Sequence, residues 1–305
     1  MPSHALHRII TLGETMILVT PTANTTLESA DQFRLDIGGA ESNVATHLAA
    51  LGHHASWVSR VGDDALGRRL TKAIEARGVD TSLVETIPNA PTGVYFKNPG
   101  NGVLYYRRGS AASPSAPGIL DRVPLLDAAL VHVSGITPAL SASCSALIDA
   151  VIDRVEGTET VLSFDINYRP ALWGATEAAA RLHRLAQRAD IVFVGLDEAE
   201  TLWGTSTAAE VRAVLHAPQI LVVKDGDVGA TEFSAAGESF IPAPHVEVVE
   251  AVGAGDAFAA GYLAAQLDGK DAAERLSAGH ARAALVLQSM SDFVADTDHD
   301  ERTHP

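Results

Sequence analysis

The chain has a single cysteine, Cys144, among 305 residues. No internal disulfide can form, and the composition fits a compartment that keeps thiols reduced. Positive charge is scarce as well: 22 Lys and Arg stand against 38 Asp and Glu, a formal charge of −16. Nucleic acids and anionic membranes reward a basic face, so neither is an expected partner. No uninterrupted apolar run approaches the roughly 20 residues of a membrane span, and the N-terminus has no secretory apolar core. A cytoplasmic protein is the expectation. The 12 histidines are scattered, and His53-His54 and His299 lack the spaced partners of a zinc site. There is no Walker A sequence and no protein-kinase HRD or DFG set.

What the chain does have is apolar content, 47% against 20% charged, enough for one large core and a small appendage. Buried strands read at residues 9–12, 56–61, 130–134, 161–165, 191–194 and 220–224. Between or after them lie helical patterns at 40–51, 63–77, 141–154, 177–189 and around 198–203, closed by helices at 257–266 and 271–289. Strand and helix in alternation indicate a parallel α/β sheet. Residues 229–234 and 239–241 read as an antiparallel pair at one edge. A different texture interrupts the series: short strands at 33–37, 92–96 and 103–108, the last two around Asn98-Pro99-Gly100-Asn101-Gly102, read as a small separate sheet. The organisation expected is one unit over residues 1–294, with lid segments at about 14–37 and 92–111, and a frayed tail over 295–305.

The most informative stretch is Val252-Gly253-Ala254-Gly255-Asp256-Ala257-Phe258, a small-residue turn opening a helix. Unpaired amides at a glycine-rich helix start, with the positive end of the helix dipole, form a pocket for an anion such as phosphate. Asp256 in the same turn offers a proton acceptor for a hydroxyl attacking a phosphoryl group. The plainer reading is an acid stabilising a helix start by about 0.3–1 kcal/mol. Phe258 breaks the dinucleotide fingerprint at its third small position.

In a parallel sheet, ligands lie beyond the C-terminal strand ends. Three stretches lie there. Gly38-Gly39 precedes a helix carrying Glu41 and Asn43. Asp165-Ile166-Asn167-Tyr168-Arg169 bears three hydrogen-bonding side chains, or is a solvated loop. Lys224-Asp225-Gly226 with Gly229-Ala230 is a glycine-bearing turn, or a plain hairpin. Trp57, Trp173 and Trp203 read as packing, and Cys144 as an inert thiol.

Gly38-Gly39-Ala40-Glu41-Ser42-Asn43-Val44-Ala45, Leu51-Gly52 and Arg60-Val61-Gly62-Asp63-Asp64 with Leu66-Gly67 together resemble the N-terminal signature of ribokinase-like (PfkB) sugar kinases. The turn ending at Asp256 resembles their C-terminal signature. The resemblance implies a Rossmann-like three-layer α/β/α ribokinase fold with a small β-sheet lid, and MgATP as phosphate donor. It also implies an anion hole from Gly253, Ala254, Gly255 and Asp256, with Asp256 as base. Within the family, Tyr105-Tyr106-Arg107-Arg108-Gly109-Ser110, Val133-Ser134-Gly135-Ile136-Thr137-Pro138 and Asp165-Ile166-Asn167-Tyr168-Arg169 are most similar to 2-keto-3-deoxygluconate kinases. That similarity implies sugar contacts from Gly39, Asn43, Tyr95, Tyr105, Arg107, Asn167 and Arg169. Lys224, Gly226 and Gly229 match the nucleotide loop, and Glu198 matches the Glu of an Asn-x-x-Glu motif that organises Mg²⁺ through water. A small-molecule sugar substrate and a homo-oligomer joined through the lid are further expectations.

The sequence departs from the family at three places. Gly195 stands where the motif has Asn. Glu250-Ala251 replaces Asp-Thr, which argues against monovalent-cation binding there. His280 and Arg282 add bulk near the expected adenine site. A neutral-sugar kinase acting on fructose or ribose, and a non-catalytic nucleotide- or sugar-binding protein of the same fold, are the alternatives.

Overall fold

Neighbouring side chains in the buried strands face two different cores, which makes the sheet the middle of three layers. In the computed structural model, which describes residues 8–23, 25–289 and 293, β1 (Arg8–Leu12) sends Ile9 into one core and Ile10 and Leu12 into the other. A strand apolar on both sides needs cover on both sides.

The chain next leaves the main sheet for β2 (Met16–Pro21) and β3 (Phe33–Gly38), and returns through α1 (Ala40–Ala50) to β4 (His54–Gly62). After α2 (Ala65–Ala76) and the edge strand β5 (Val84–Ile87), it leaves again for β6 (Val94–Lys97) and β7 (Val103–Tyr106). The regular alternation follows: β8 (Leu130–Ser134), α3 (Ile136–Leu140), α4 (Ala142–Val155), β9 (Val161–Asp165), α5 (Ala175–Ala186), β10 (Ile191–Gly195), α6 (Leu196–Trp203), α7 (Ala208–Val214) and β11 (Ile220–Asp225). The hairpin partners β12 (Gly229–Ser234) and β13 (Gly237–Pro242) precede α8 (Ala254–Leu267) and α9 (Ala272–Leu287).

Nine strands form the main sheet in the order β13-β12-β11-β10-β9-β8-β1-β4-β5, parallel from β11 to β5 and antiparallel at the β12–β13 edge. One core joins Val131, Phe164, Val192 and Leu221 to Ile148 and Ile152 of α4 and Leu182 of α5. The opposite core joins Trp57, Phe193 and Val222 to Leu48 of α1, Leu70 of α2 and Tyr262 of α8. A second sheet, ordered β3-β2-β6-β7, is the lid.

The expected lid strands all form, and the lid gains β2, which the sequence pattern did not reveal. Only Gly13-Glu14-Thr15 separates it from β1, so one apolar stretch supplies strands to two sheets. The half-buried β5 and the short α7 were also unanticipated. Helix α8 begins three residues before the expected 257, because Gly253 takes a left-handed φ of 84° and turns the chain directly into it. The expected frayed tail at 295–305 lies outside the described residues.

Candidate active site

A cavity of about 1130 Å³ opens between the lid and the C-terminal strand ends. All fifteen residues singled out from the sequence as site candidates line it, from Gly39 and Arg107 on the lid side to Gly226 and Gly229 in the β11–β12 turn.

At its floor the α8 N-terminus has no side-chain cap. The Ala254 N–H bends back to the Ala251 carbonyl at 3.3 Å, so this amide is partly committed. Gly255 N–H has no backbone partner among the described residues. A Cβ placed on Gly255 would lie 3.6 Å from Lys224 Nζ, so an ammonium stands directly beside the turn. Asn43, on the buried face of α1, donates from Nδ2 to Asp256 Oδ2 at 2.9 Å. This bond orients the carboxylate at the junction of two packed helices.

Lys224 is anchored in turn. Its Nζ lies 3.1 Å from Asp165 Oδ2, at the end of β9. Burial alone would lower the lysine pKa, but Asp165 first, then Glu198 and Asp256, outweigh it and hold the ammonium above its ordinary range. Glu198 sits in the first turn of α6, accepting the Gly195 N–H at 2.8 Å and the Tyr168 N–H at 2.7 Å. A reciprocal capping box needs an acceptor on the N-cap side chain as well, and glycine has none, so only the Glu198 half forms. Burial, then the nearby Asp165 charge, push Glu198 above the usual carboxylate range.

The loop after β9 holds Asn167 at φ 40°, a left-handed conformation uncommon outside glycine. The residue is 6% exposed, and its Oδ1 has no hydrogen-bond partner among the described residues. A buried orphan acceptor in a cavity wall marks a place where a ligand or water completes the bonding. Arg169 beside it is exposed, donates only to the Tyr168 carbonyl at 3.2 Å, and has no carboxylate partner among the described residues.

On the lid side Arg107 donates from Nε to Glu14 Oε2 at 2.7 Å, and Ser110 donates to Glu14 Oε1 at 2.6 Å. Arg107 therefore has its charge matched within the protein. Tyr95 and Tyr105 stack at 5.7 Å between centroids. Gly39 is dictated by space, since a Cβ there would lie 2.5 Å from the Glu14 carbonyl. Lys97 of β6 pairs with Glu250 at 2.9 Å, and Glu250 also accepts the Ala251 and Val252 N–H groups.

Of the two bulky residues expected near the adenine, His280 does line the cavity. Arg282 turns away from it, buried with its Nε 2.9 Å from His47 Nδ1. The turn at 226–228 is a hairpin loop, with Asp225 paired to Gly229. Glu14, Lys97 and Asp197 also line the cavity and were not anticipated. Glu14 had a signal, a carboxylate directly after the first strand, whereas Lys97 and Asp197 had none.

The model for pfkB family carbohydrate kinases matches residues 6–296. A 2-dehydro-3-deoxygluconokinase of Thermoproteus tenax is 34% identical over 304 residues, covering 96% of this chain and 92% of that protein. A 2-dehydro-3-deoxygalactonokinase of Haloferax volcanii is 30% identical, covering 95% and 93%. The crystal structure of a PfkB protein from Polaromonas sp. JS666 superposes with a TM-score of 0.87 at 35% identity, covering 93% and 97%.

Proposed function

The chain belongs to the pfkB family of carbohydrate kinases, and from that membership we propose that its acceptor is a keto-sugar acid, 2-keto-3-deoxygluconate, phosphorylated by MgATP. The observation that carries the acidic acceptor is the state of the four Lys and Arg side chains that line the cavity. Arg107 is paired with Glu14, Lys224 with Asp165 and Lys97 with Glu250, while Arg169 touches no carboxylate among the described residues and acts on Glu198 only at longer range. A guanidinium at a strand end is suited to bidentate pairing with a substrate carboxylate. Relatives along nearly the whole chain that act on 2-dehydro-3-deoxygluconate and its galactonate counterpart support this reading.

In the proposed reaction Asp256 accepts the proton of the sugar hydroxyl as its oxygen bonds to the γ-phosphorus and the bond to the leaving ADP oxygen breaks. Asn43 holds the carboxylate in place. The Gly255 amide and Lys224 face the transferring phosphoryl group, where fixed positive ends count most. Gly39, Tyr95 and Tyr105 are the proposed sugar walls, and Gly226, Gly229 and Gly253 the close approaches for the nucleotide.

The donor set suits a hydrated Mg²⁺. No three His, Cys, Asp or Glu side chains converge as a metal-binding group among the described residues, yet Glu198 and the orphan Asn167 Oδ1 face the cavity. Mg²⁺ keeps several waters and is held largely by substrate phosphates. Glu198 and Asn167 would hold those waters, and the ion supplies charge neutralisation on the phosphates.

The same reading pairs the chain with a second copy through the lid. Phe33 and Leu35 of β3 and Leu104 and Tyr106 of β7 share its outer face and are 38–66% exposed. No helix among the described residues is long and apolar enough to cross a membrane.

The test is ADP release with 2-keto-3-deoxygluconate, its galactonate counterpart, fructose and ribose as acceptors. Preference for the acids by about 10²-fold or more in kcat/KM is expected. Equal turnover of acidic and neutral sugars would overturn the assignment.

A further inference from the structure

Glycine at 195 leaves a question of where its lost side chain's work is done. A Cβ built on Gly195 would lie 2.5 Å from Asp197 Oδ1 and 3.1 Å from Glu198 Oε2. The space that a side chain at 195 would enter is thus already taken by the Asp197 carboxylate. Asp197 stands in the first turn of α6, an eight-residue helix, exposed and lining the cavity. The same wall carries the buried Asn167 with its unpartnered Oδ1, an independent sign that a polar ligand completes this corner. We propose that Asp197 takes the place of the side chain missing at 195, and with Glu198 and Asn167 holds water on the nucleotide-bound Mg²⁺. Asp197 is then a metal-positioning residue, acting through water and not as a direct ligand.

This inference rests on the kinase reading. Its physical content is an exchange of positions: a side chain at 195 would enter the space that the Asp197 carboxylate now occupies, and the exposed Asp197 would have to swing aside to admit it. Glycine is tolerated at 195 because its neighbour's carboxylate leans over it. An acid at this point of a helix also gains from the dipole, so Asp197 is not costly to keep.

The experiment measures binding of Mn²⁺ to wild type, Asp197→Ala, Gly195→Asn and Gly195→Asn/Asp197→Ala, with a non-hydrolysable ATP analogue present, by the electron paramagnetic resonance of free Mn²⁺. Outer-shell partners of a metal change its affinity by about 10–100-fold, and a loss at the lower end, about tenfold, is expected for Asp197→Ala. The double variant should recover most of that loss, and in Gly195→Asn alone Asp197 should swing aside and the new side chain take over, leaving Mn²⁺ affinity within a few-fold of wild type. The melting temperature of Asp197→Ala without ligand should fall by no more than about 2–4 °C, because the residue is exposed and only a helix-dipole contribution is lost.

Wild-type Mn²⁺ affinity in Asp197→Ala overturns the proposal. A loss that the double variant leaves unrepaired overturns the exchange of places. Failure of the wild type to bind the analogue at all would overturn the kinase reading beneath it, a result distinct from either.

Discussion

Asp256 gets its orientation from another helix, since Asn43 on α1 donates to its Oδ2. Asp256→Asn keeps the size of the side chain but removes the proton acceptor. General bases contribute about 10²–10⁴ in rate, so kcat should fall by at least the lower figure with little change in affinity for ATP, read by steady-state kinetics and titration. A near-wild-type kcat in folded protein would return Asp256 to a helix-start acid. Arg169→Leu makes a different prediction. Loss of a charge-assisted pair should cost roughly 2–4 kcal/mol with acidic acceptors and little with neutral ones, measured as kcat/KM on both. At this scale the sequence was most legible where motif and geometry coincide, as at Asp256, Asn43 and Lys224. It was least legible at Lys97, whose partner Glu250 lies far along the chain, a relation that no spacing encodes.

Elements carry a prediction of their own at the base of the lid. Asp64 caps α2, accepting the Gly67 N–H at 2.7 Å, and reaches across to the Thr92 N–H at 2.8 Å and hydroxyl at 2.9 Å. Burial works upward on this carboxyl, but the Gly67 and Thr92 bonds outweigh it and hold its pKa below the usual range. A depressed carboxylate contributes stability above its unfolded pKa and loses it as pH falls through the folded value. Asp64→Ala should therefore cost about 1 kcal/mol near neutrality, and the gap between variant and wild type should close in acid below the ordinary carboxylate range. Thermal melts across pH would show it. The lid itself should exchange amide hydrogens faster than the central strands, and slow when sugar binds. Its outer face makes a further prediction: Tyr106→Glu, placing charge at the most exposed of these apolar residues, should shift a dimer toward monomer in sedimentation. Most helices and main-sheet strands were readable because period 3.6 and buried runs survive in sequence. By contrast, β2 was hidden because the boundary between two sheets is only Gly13-Glu14-Thr15, and β5 because a half-buried edge strand needs no strong pattern.

On the scale of the whole molecule, the acidic surface expected from 22 basic and 38 acidic residues surrounds a cavity whose own cations are almost all spoken for. Composition showed that imbalance, but not that four of the basic residues would line one opening, since that depends on which strand ends the topology brings together. The Glu14–Arg107 and Asp165–Lys224 pairs also bear on the residence time of the product. An acceptor bearing one carboxylate enters a cavity with one guanidinium that touches no carboxylate among the described residues, but it leaves carrying a phosphate as well, amid Asp256, Asp165 and Glu198. Lys224 stays engaged by Asp165 and Arg107 by Glu14, so neither is wholly given over to the new phosphate, and the carboxylates beside it favour release of the phosphorylated sugar as product accumulates.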